Sequence, residues 1–225
     1  MAFDFGVVIE HRDVLLACLW TTLCLAFLSI LLGTMAGVII ALAKRNQNRW
    51  VRMAVTAYVD FFRLMPALLL LLWVYYALPI LAGIRLDGFL VTVIVLGLAL
   101  SAYVGELVFS GLAAIPRGQI ESARMLGLSE TQILWRITLP QVGRQLVTPL
   151  MGLYIESAKN TTFAAILALN ELLHAGQVLS SIYYRPLEFY TAIAIAFLAV
   201  LWPLAWLGRK FEYASFVNKV RRTNE

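Results

Sequence analysis

The chain has 225 residues, of which 61% are hydrophobic and only 14% are charged. Because so few charges cannot cover a water-exposed surface, the composition excludes an ordinary soluble domain and predicts one membrane domain over residues 1–225. The net charge of +5 arises from basic residues gathered in short polar segments between apolar runs, which is typical of membrane topology and argues against nucleic-acid binding.

Five apolar stretches are long enough to cross a membrane as helices, which takes about 20 residues each. We expect these spans near residues 14–43, 55–82, 88–113, 146–170 and 188–208. Lys and Arg residues are concentrated after the first span, between the third and fourth spans, and in the C-terminal tail. Because cytoplasmic loops carry the excess of basic residues, the sequence predicts an all-α membrane protein with its N-terminus outside and its C-terminus in the cytoplasm.

The cysteines and histidines of the chain do not indicate a metal or redox site. Cys18 and Cys24 both lie in the first span, where their six-residue spacing favours small buried side chains over a disulfide. His11 and His174 fall outside the predicted spans, which argues against haem ligation within the membrane. The sequence therefore predicts no metal site and no cofactor bound by this chain.

The second and third spans carry ionisable side chains inside the membrane. Arg63 lies about two turns into the second span, and Glu106 lies at a similar depth in the third span, which runs in the opposite direction. A charge in the bilayer needs a partner, so these positions predict a structural Arg63–Glu106 ion pair, with backbone carbonyls or solvent as the alternative contacts. Pro66 is expected to bend the second span just beyond Arg63.

Two connections are predicted on the external side. Residues 80–88 form a short loop that contains two glycines and an aspartate. Residues 171–187 form a longer connection of mixed polarity, for which a short helix at the membrane surface and a plain loop are equally consistent with the sequence.

Residues 115–144 form the one long polar interruption between apolar runs, and we expect them to fold into a helix-turn-helix elbow. Gly118 is placed to begin a first short helix, and Gly127 is placed to end it in a left-handed cap. Ser129 followed three residues later by Gln132 is the pattern of a capping box at the start of a second helix.

The second helix of the elbow has an apolar side, because Ile133, Leu134 and Ile137 recur at helical spacing, and Pro140 is expected to end it. In the first helix, Ala123 is small enough for a partner surface to approach closely. The elbow is therefore a candidate contact surface.

The fourth span contains a run of polar residues near the middle of the membrane, Glu156, Lys159, Asn160, Thr161 and Thr162. Hydrogen-bonding groups and irregular backbone are tolerated at this depth only against protein or a water-filled cavity, so we expect this helix to line a pathway. Its carboxylate suits a cationic group of a solute, and its donors suit an anionic group. The alternative is that Glu156 and Lys159 neutralise each other at i, i+3 and bind nothing.

The elbow resembles the EAA loop of ABC-importer permeases, with Ser122 in place of the usual first alanine. In that family the loop is a coupling helix that sits in a groove of an ATP-hydrolysing subunit. The resemblance implies an ATPase-coupling role for Gly118, Glu121, Ser122, Ala123, Gly127, Ile137, Leu139 and Pro140.

Other segments resemble the polar amino acid uptake branch of those permeases. Residues 57–79 are similar to its segment with an F-R-x-x-P core, and residues 102–107 are similar to the start of its third span. Residues 154–167 look like its K-[DN]-[ST]-[ST]-L segment, with Phe163 where leucine is usual. Phe109 stands where the family often has arginine, so no role of that arginine is carried over to this chain.

The resemblance implies a transport subunit in the bacterial cytoplasmic (inner) membrane that forms the path of a polar amino acid. It implies as partners two ATP-binding subunits, a second permease that is identical or homologous, and a periplasmic or extracellular substrate-binding protein. The chain contains no G-x-x-x-x-G-K-[ST] phosphate loop, so it is not expected to be an enzyme, and ATP and Mg²⁺ would bind to the partner ATPase.

Three alternatives remain at this point. An ABC permease for another small polar solute would share these features. An ion-gradient-driven amino acid carrier would usually show an internal repeat with paired broken helices, whereas only the fourth span here looks broken. A membrane anchor of a redox enzyme would need histidines within its spans, and the predicted spans contain none.

Overall fold

The computed structural model describes residues 4–223, and the side chains of residues 4–210, as a set of helices without a strand in that range. The basic residues of the predicted cytoplasmic tail beyond Lys210 lie outside the described side chains. In chain order the helices are α1 (Gly6–Glu10), α2 (Arg12–Lys44), α3 (Arg49–Leu64), α4 (Ala67–Ala82), α5 (Gly88–Ala113), α6 (Arg117–Met125), α7 (Glu130–Ile133), α8 (Leu139–Asn160), α9 (Leu172–Tyr183) and α10 (Pro186–Thr223).

Three helices are long and apolar enough to cross a membrane, namely α2, α5 and the Pro186–Lys210 part of α10. Two further spans are possible if each of two bent helix pairs counts as one, so the described residues provide three to five spans. The all-helical fold class is thus confirmed, and the predicted number of five spans is the upper end of this range.

The second predicted span is two helices rather than one. Helices α3 and α4 meet at an angle of 101°, with Met65 and Pro66 between them in extended conformation. A residue before proline is pushed out of the helical region by the proline ring, so α3 has to end there. The bend expected at Pro66 is confirmed, but Arg63 lies in the last turn of α3 rather than within a continuous span.

The fourth predicted span is also more complex than expected. Pro140 does not end the second elbow helix, because a π-helical turn, Leu134–Thr138, joins α7 to α8 without interruption. The wider turn accommodates the proline, which lacks an N–H and would clash with the carbonyl four residues earlier in a regular helix. After Asn160 the chain tightens into a 3-10 segment, Thr161–Leu167, and α9 follows at an angle of 48°.

The centre of the fold is the close contact between α2 and α5. Small residues repeat every four positions on the buried side of α2, namely Ser29, Gly33, Gly37 and Ala41. On α5 they face a matching series of Gly97, Ser101 and Gly105. A Cβ atom added at Gly37 would lie 2.7 Å from the Val104 Cβ atom. Small residues let two membrane helices approach this closely, so packing rather than hydrophobicity holds the pair together.

The connection over residues 171–187 contains a helix, α9, rather than a plain loop. Glu171 is buried and caps α9, accepting hydrogen bonds from the backbone N–H groups of Leu173 at 2.9 Å and His174 at 2.7 Å. Thr22 of α2 donates to the same carboxylate at 3.4 Å and accepts from the Leu172 N–H at 3.0 Å. The start of α9 is therefore fixed to α2.

Candidate functional site

The turn between α6 and α7 has the geometry that the sequence predicts. Gly127 is in the left-handed region with φ of 79°. The Leu128 N–H donates to the Ala123 carbonyl at 3.2 Å, and the Gly127 N–H donates to the Arg124 carbonyl at 2.9 Å. These two bonds form a Schellman motif, which satisfies the last carbonyls of α6 and turns the chain sharply.

The capping box at the start of α7 is also confirmed. The Ser129 N–H donates to Gln132 Oε1 at 2.9 Å, and the Gln132 N–H donates to Ser129 Oγ at 3.3 Å. An exposed ion pair closes the same corner, with Arg124 Nε 2.6 Å from Glu130 Oε1. The hydrogen bond to Glu130 raises the pKa of the Arg124 guanidinium, so the arginine stays charged.

The elbow presents an open groove of about 510 Å³ beside the turn. Four of the predicted coupling residues line it, namely Gly118, Ser122, Ala123 and Ile137, together with Gln119, Leu126, Leu128 and Gln141. Gln141 of α8 donates to Gln119 of α6 at 3.0 Å and so holds the two walls of the groove together.

The other predicted coupling residues, Glu121, Gly127, Leu139 and Pro140, are exposed elsewhere on the elbow and do not line the groove.

Ala123 lines the groove although only 4% of it is exposed, so it lies at the base of the groove. The accessible apolar surface comes instead from Met125 and Leu126, which are 84% and 81% exposed, and from Trp135. The sequence signal for these residues was their apolar character within a polar segment. They are candidates for contact with a partner.

The carboxylate of Glu106 has a different partner from the one predicted. Among the described residues it pairs with Lys44 Nζ at the end of α2, where the two side chains are only 28% and 13% exposed. The lysine also lies 5.1 Å from the centre of the Phe109 ring. The expected Arg63–Glu106 pair is thus replaced, because α2 packs along α5 closely enough to bring Lys44 to the same level.

A cavity of about 350 Å³ lies between the end of α3 and helices α5 and α8. Its polar lining consists of Glu156, Ser157 and Asn160 from α8, Tyr103 from α5 and Arg63 from α3, and apolar side chains complete it. The structure thus places two of the five predicted pathway residues, Glu156 and Asn160, on one wall. Arg63 was predicted for a different role, and the fold brings it to the same cavity.

Lys159, Thr161 and Thr162 do not line this cavity. The hydroxyl of Thr161 donates to the Ala158 carbonyl at 2.8 Å, and that of Thr162 donates to the Lys159 carbonyl at 2.8 Å. Both threonines therefore stabilise the 3-10 segment. Within the described residues, Lys159 is exposed and is not in an ion pair with Glu156.

Ser157 is a cavity residue that the sequence analysis did not single out. Its hydroxyl is buried and, among the described residues, has no hydrogen-bond partner. A buried polar atom without a partner is uncommon, so this hydroxyl is a candidate position for a bound water. Neighbouring Tyr154 fixes the position of α8 because its hydroxyl accepts a hydrogen bond from Thr34 of α2 at 2.9 Å. Among the described residues, no group of three His, Cys, Asp or Glu side chains is arranged to hold a metal ion.

Residues 20–212 match the family described as "Binding-protein-dependent transport system inner membrane component". The chain belongs to this family. The permease is 33% identical over 206 residues to the probable glutamine ABC transporter permease protein GlnP of Bacillus subtilis (strain 168), which covers 88% of this chain and 93% of the relative. It is 30% identical over 226 residues to the L-cystine transport system permease protein TcyL of the same organism, covering 98% and 95%.

Solved structures agree with this assignment. The permease matches a chain from the crystal structure of an amino acid ABC transporter with histidines at a TM-score of 0.87 and 27% identity, over 95% of this chain and 100% of the other. It shares the fold of a chain of the MetNI methionine ABC transporter, with a TM-score of 0.75 and 21% identity, over 92% and 98%. The permease is therefore a multi-pass transmembrane subunit of an ABC importer, a transport component and not a catalyst.

Proposed function

We propose that this permease carries a polar amino acid and that the cavity between α3, α5 and α8 lies on the path of that cargo. The single domain, residues 1–225, would cross the bacterial cytoplasmic membrane five times, with the N-terminus outside and the elbow and C-terminus in the cytoplasm. The basic residues of the elbow support this orientation.

The polar lining of the cavity carries this proposal. The carboxylate of Glu156 suits an ammonium group, while the guanidinium of Arg63 and the side chains of Asn160 and Ser157 suit a carboxylate. The volume of about 350 Å³ is at the lower end of the usual range for small-molecule sites. Glutamine and cystine, for which two relatives are named, share the ammonium and carboxylate groups that this lining matches.

The elbow would couple this path to ATP hydrolysis on a separate subunit. The groove beside α6 and the exposed apolar side chains of Met125 and Leu126 support a docking role for this surface. The Schellman motif and the capping box make the turn rigid, so a displacement of α6 would be transmitted into α8. Glu121, Leu139 and Pro140, which the groove does not include, would contact the ATPase from outside it.

The complete transporter would contain two permease subunits, identical or homologous, two ATP-binding subunits and an external binding protein that delivers the cargo. ATP and Mg²⁺ would bind only to the ATPases, and this chain would bind no cofactor. The membrane lipid surrounds the outer faces of α2 and α10, which expose many apolar side chains.

Substitution of Glu156 tests the cargo site in the assembled transporter. Glu156→Gln keeps the size of the side chain but removes the charge that would hold the ammonium group. We expect uptake of the preferred amino acid to fall about tenfold or more, since a hydrogen bond to a charged group contributes about 1.5–3 kcal/mol. ATP hydrolysis and subunit assembly should persist.

Lys159→Gln is the matched control, because Lys159 lies one turn further along α8 and outside the cavity. Its effect on uptake should be small. Equal loss in both variants, or poor assembly of the Glu156 variant with every amino acid, would remove Glu156 from the cargo site.

A further inference from the structure

Two cavities follow one another along the groove between α5 and α8. The first, of about 350 Å³, contains Glu156. The second, of about 300 Å³, is lined by Glu106 and Ser110 among others. Arg63, Tyr103 and Leu153 belong to the lining of both. The two cavities therefore meet at these three side chains.

The order of residues along the two helices supports the same boundary. On α5 the second cavity extends from Tyr103 to Ser110, which is about 10 Å of helix at 1.5 Å per residue. On α8 the first cavity extends from Leu153 to Asn160, and the second from Pro149 to Leu153. On each helix, the residues that line the first cavity give way to those that line the second at one position, Tyr103 on α5 and Leu153 on α8. Arg63 of α3 lines both cavities at this boundary.

The position of Arg63 at this level is defined by Tyr103. The guanidinium carbon lies 5.6 Å from the centre of the Tyr103 ring, and the Tyr103 hydroxyl donates to the Arg63 carbonyl at 3.3 Å. Within the described side chains Arg63 is not in an ion pair, and the nearby carboxylate of Glu106 is bound by Lys44. Among the described residues, the guanidinium is therefore held by its contact with the Tyr103 ring.

We propose that Arg63 is the gate residue between the two cavities, closed when its guanidinium stacks on Tyr103 and opened when it binds the carboxylate of the cargo. The opening of the gate by cargo rests on the proposed function. A cation–π contact at an exposed site is weak, whereas guanidinium and carboxylate form paired charge-assisted hydrogen bonds, so an arriving carboxylate displaces the stack. The chain bends by 101° between α3 and α4, shortly after Arg63, where Met65 and Pro66 are extended.

Thiol labelling of the assembled transporter tests the gate without measuring transport. The two native cysteines are replaced, as Cys18→Ala and Cys24→Ala, and Asn160→Cys, at a partly exposed position of the lining, reports on the first cavity. A membrane-impermeant maleimide is added from the side of the elbow without ATP, and the labelling rate is measured per assembled complex. We expect Arg63→Ala to raise this rate several-fold because the barrier between the cavities is removed.

Variants of Tyr103 provide a second measurement. Tyr103→Leu removes the ring on which the guanidinium stacks and should raise the labelling rate, whereas Tyr103→Phe keeps the ring and should leave it unchanged. Arg52→Ala is the matched control, because Arg52 is an exposed arginine on the same helix that lines neither cavity. Its labelling rate should equal that of the parent.

The proposal is overturned if Arg63→Ala labels at the parental rate, or if Arg52→Ala labels as fast as Arg63→Ala. If the permease does not carry an amino acid, the result is different. The parent transporter then takes up no amino acid, but the labelling rates still show whether Arg63 separates the two cavities.

Discussion

The polar contacts within the elbow join residues that are close in the sequence, whereas those within the membrane core join residues that are far apart in the sequence. In the elbow, the ion pair between Arg124 and Glu130 joins residues that are 6 positions apart. In the core, the ion pair between Lys44 and Glu106 joins residues that are 62 positions apart. The elbow contact requires only that one short segment forms its turn, whereas a distant contact requires two helices to be docked in the correct register.

This difference predicts how each region responds to substitution. Damage to an elbow contact should remain in the elbow and leave the membrane helices assembled. Damage to a contact between α2 and α5 should destabilise the whole fold, because this helix pair forms the most extensive interface of the described residues. Three experiments test the contrast.

The largest effect is expected at the Lys44–Glu106 pair. Lys44→Glu and Glu106→Lys should each lower the free energy of unfolding by about 3 kcal/mol, the lower end of the range for breaking a buried pair, because Glu106 keeps 28% exposure. The double exchange should recover part of this loss. Thermal unfolding of the purified subunit, compared across the four proteins, measures both effects.

The matched control exchanges the charges of the pair that the sequence predicted. Arg63→Glu combined with Glu106→Arg should recover nothing, because Arg63 stacks on Tyr103 rather than binding Glu106. Recovery by this second exchange, without recovery by the first, would show that the pairing of Glu106 with Lys44 is wrong.

A smaller effect is expected from a single methyl group at the α2–α5 contact. Gly37→Ala would place a Cβ atom 2.7 Å from the Val104 Cβ atom and 3.0 Å from the Ser101 carbonyl oxygen. The helices must separate to admit it, at a cost of about 2 kcal/mol, within the usual range for overpacking. The melting temperature should fall accordingly.

Gly152→Ala on α8 is the control, since no atom lies within 4 Å of the added methyl group. Alanine is a better helix former than glycine, so this variant should be as stable as the parent or more stable. A melting temperature that falls equally in both variants would contradict the importance of close packing at Gly37.

The smallest effect is expected at the elbow turn. Gly127→Ala forces a residue with a Cβ atom into the left-handed conformation, at a cost of about 1 kcal/mol, although the space around it is open. Hydrogen exchange of the α6 and α7 amides should become faster while the amides of α2 and α5 keep their protection. Faster exchange in α2 or α5 as well would show that the elbow is not an independent unit.

Gly118→Ala provides the comparison within the elbow. Gly118 also has open space around it, but it lies inside α6 with ordinary helical geometry. This substitution should leave the exchange rates of α6 unchanged or slower. The pair of variants therefore separates backbone strain at the turn from the mere addition of a methyl group.

Most of the elbow was predictable from the sequence. The left-handed Gly127 and the capping box of Ser129 with Gln132 were both expected, because the groups that bond lie within a few residues of each other. The exception was Pro140, which was expected to end a helix. A π-helical turn accommodates it, and that turn forms within the longer helix that continues into the membrane.

The cavity was only partly predictable. Glu156 and Asn160 were expected on a pathway because polar residues in a span require a polar environment. Ser157 was missed, because a serine in a helix carries no signal until its neighbours are known. The two threonines were expected to offer their hydroxyls to the pathway, but the 3-10 segment uses both hydroxyls to bond its own backbone.

The sequence by itself determined that this protein is a membrane protein with an elbow between its helices, because hydropathy, helix caps and turns depend on residues that are close in the chain. Only the tertiary structure decided that Glu106 binds Lys44 and that Arg63 faces the cavity. Those outcomes depend on the rotation and register of packed helices. The small residues of α2 and α5 fix both, through close contacts between helices that are distant in the chain.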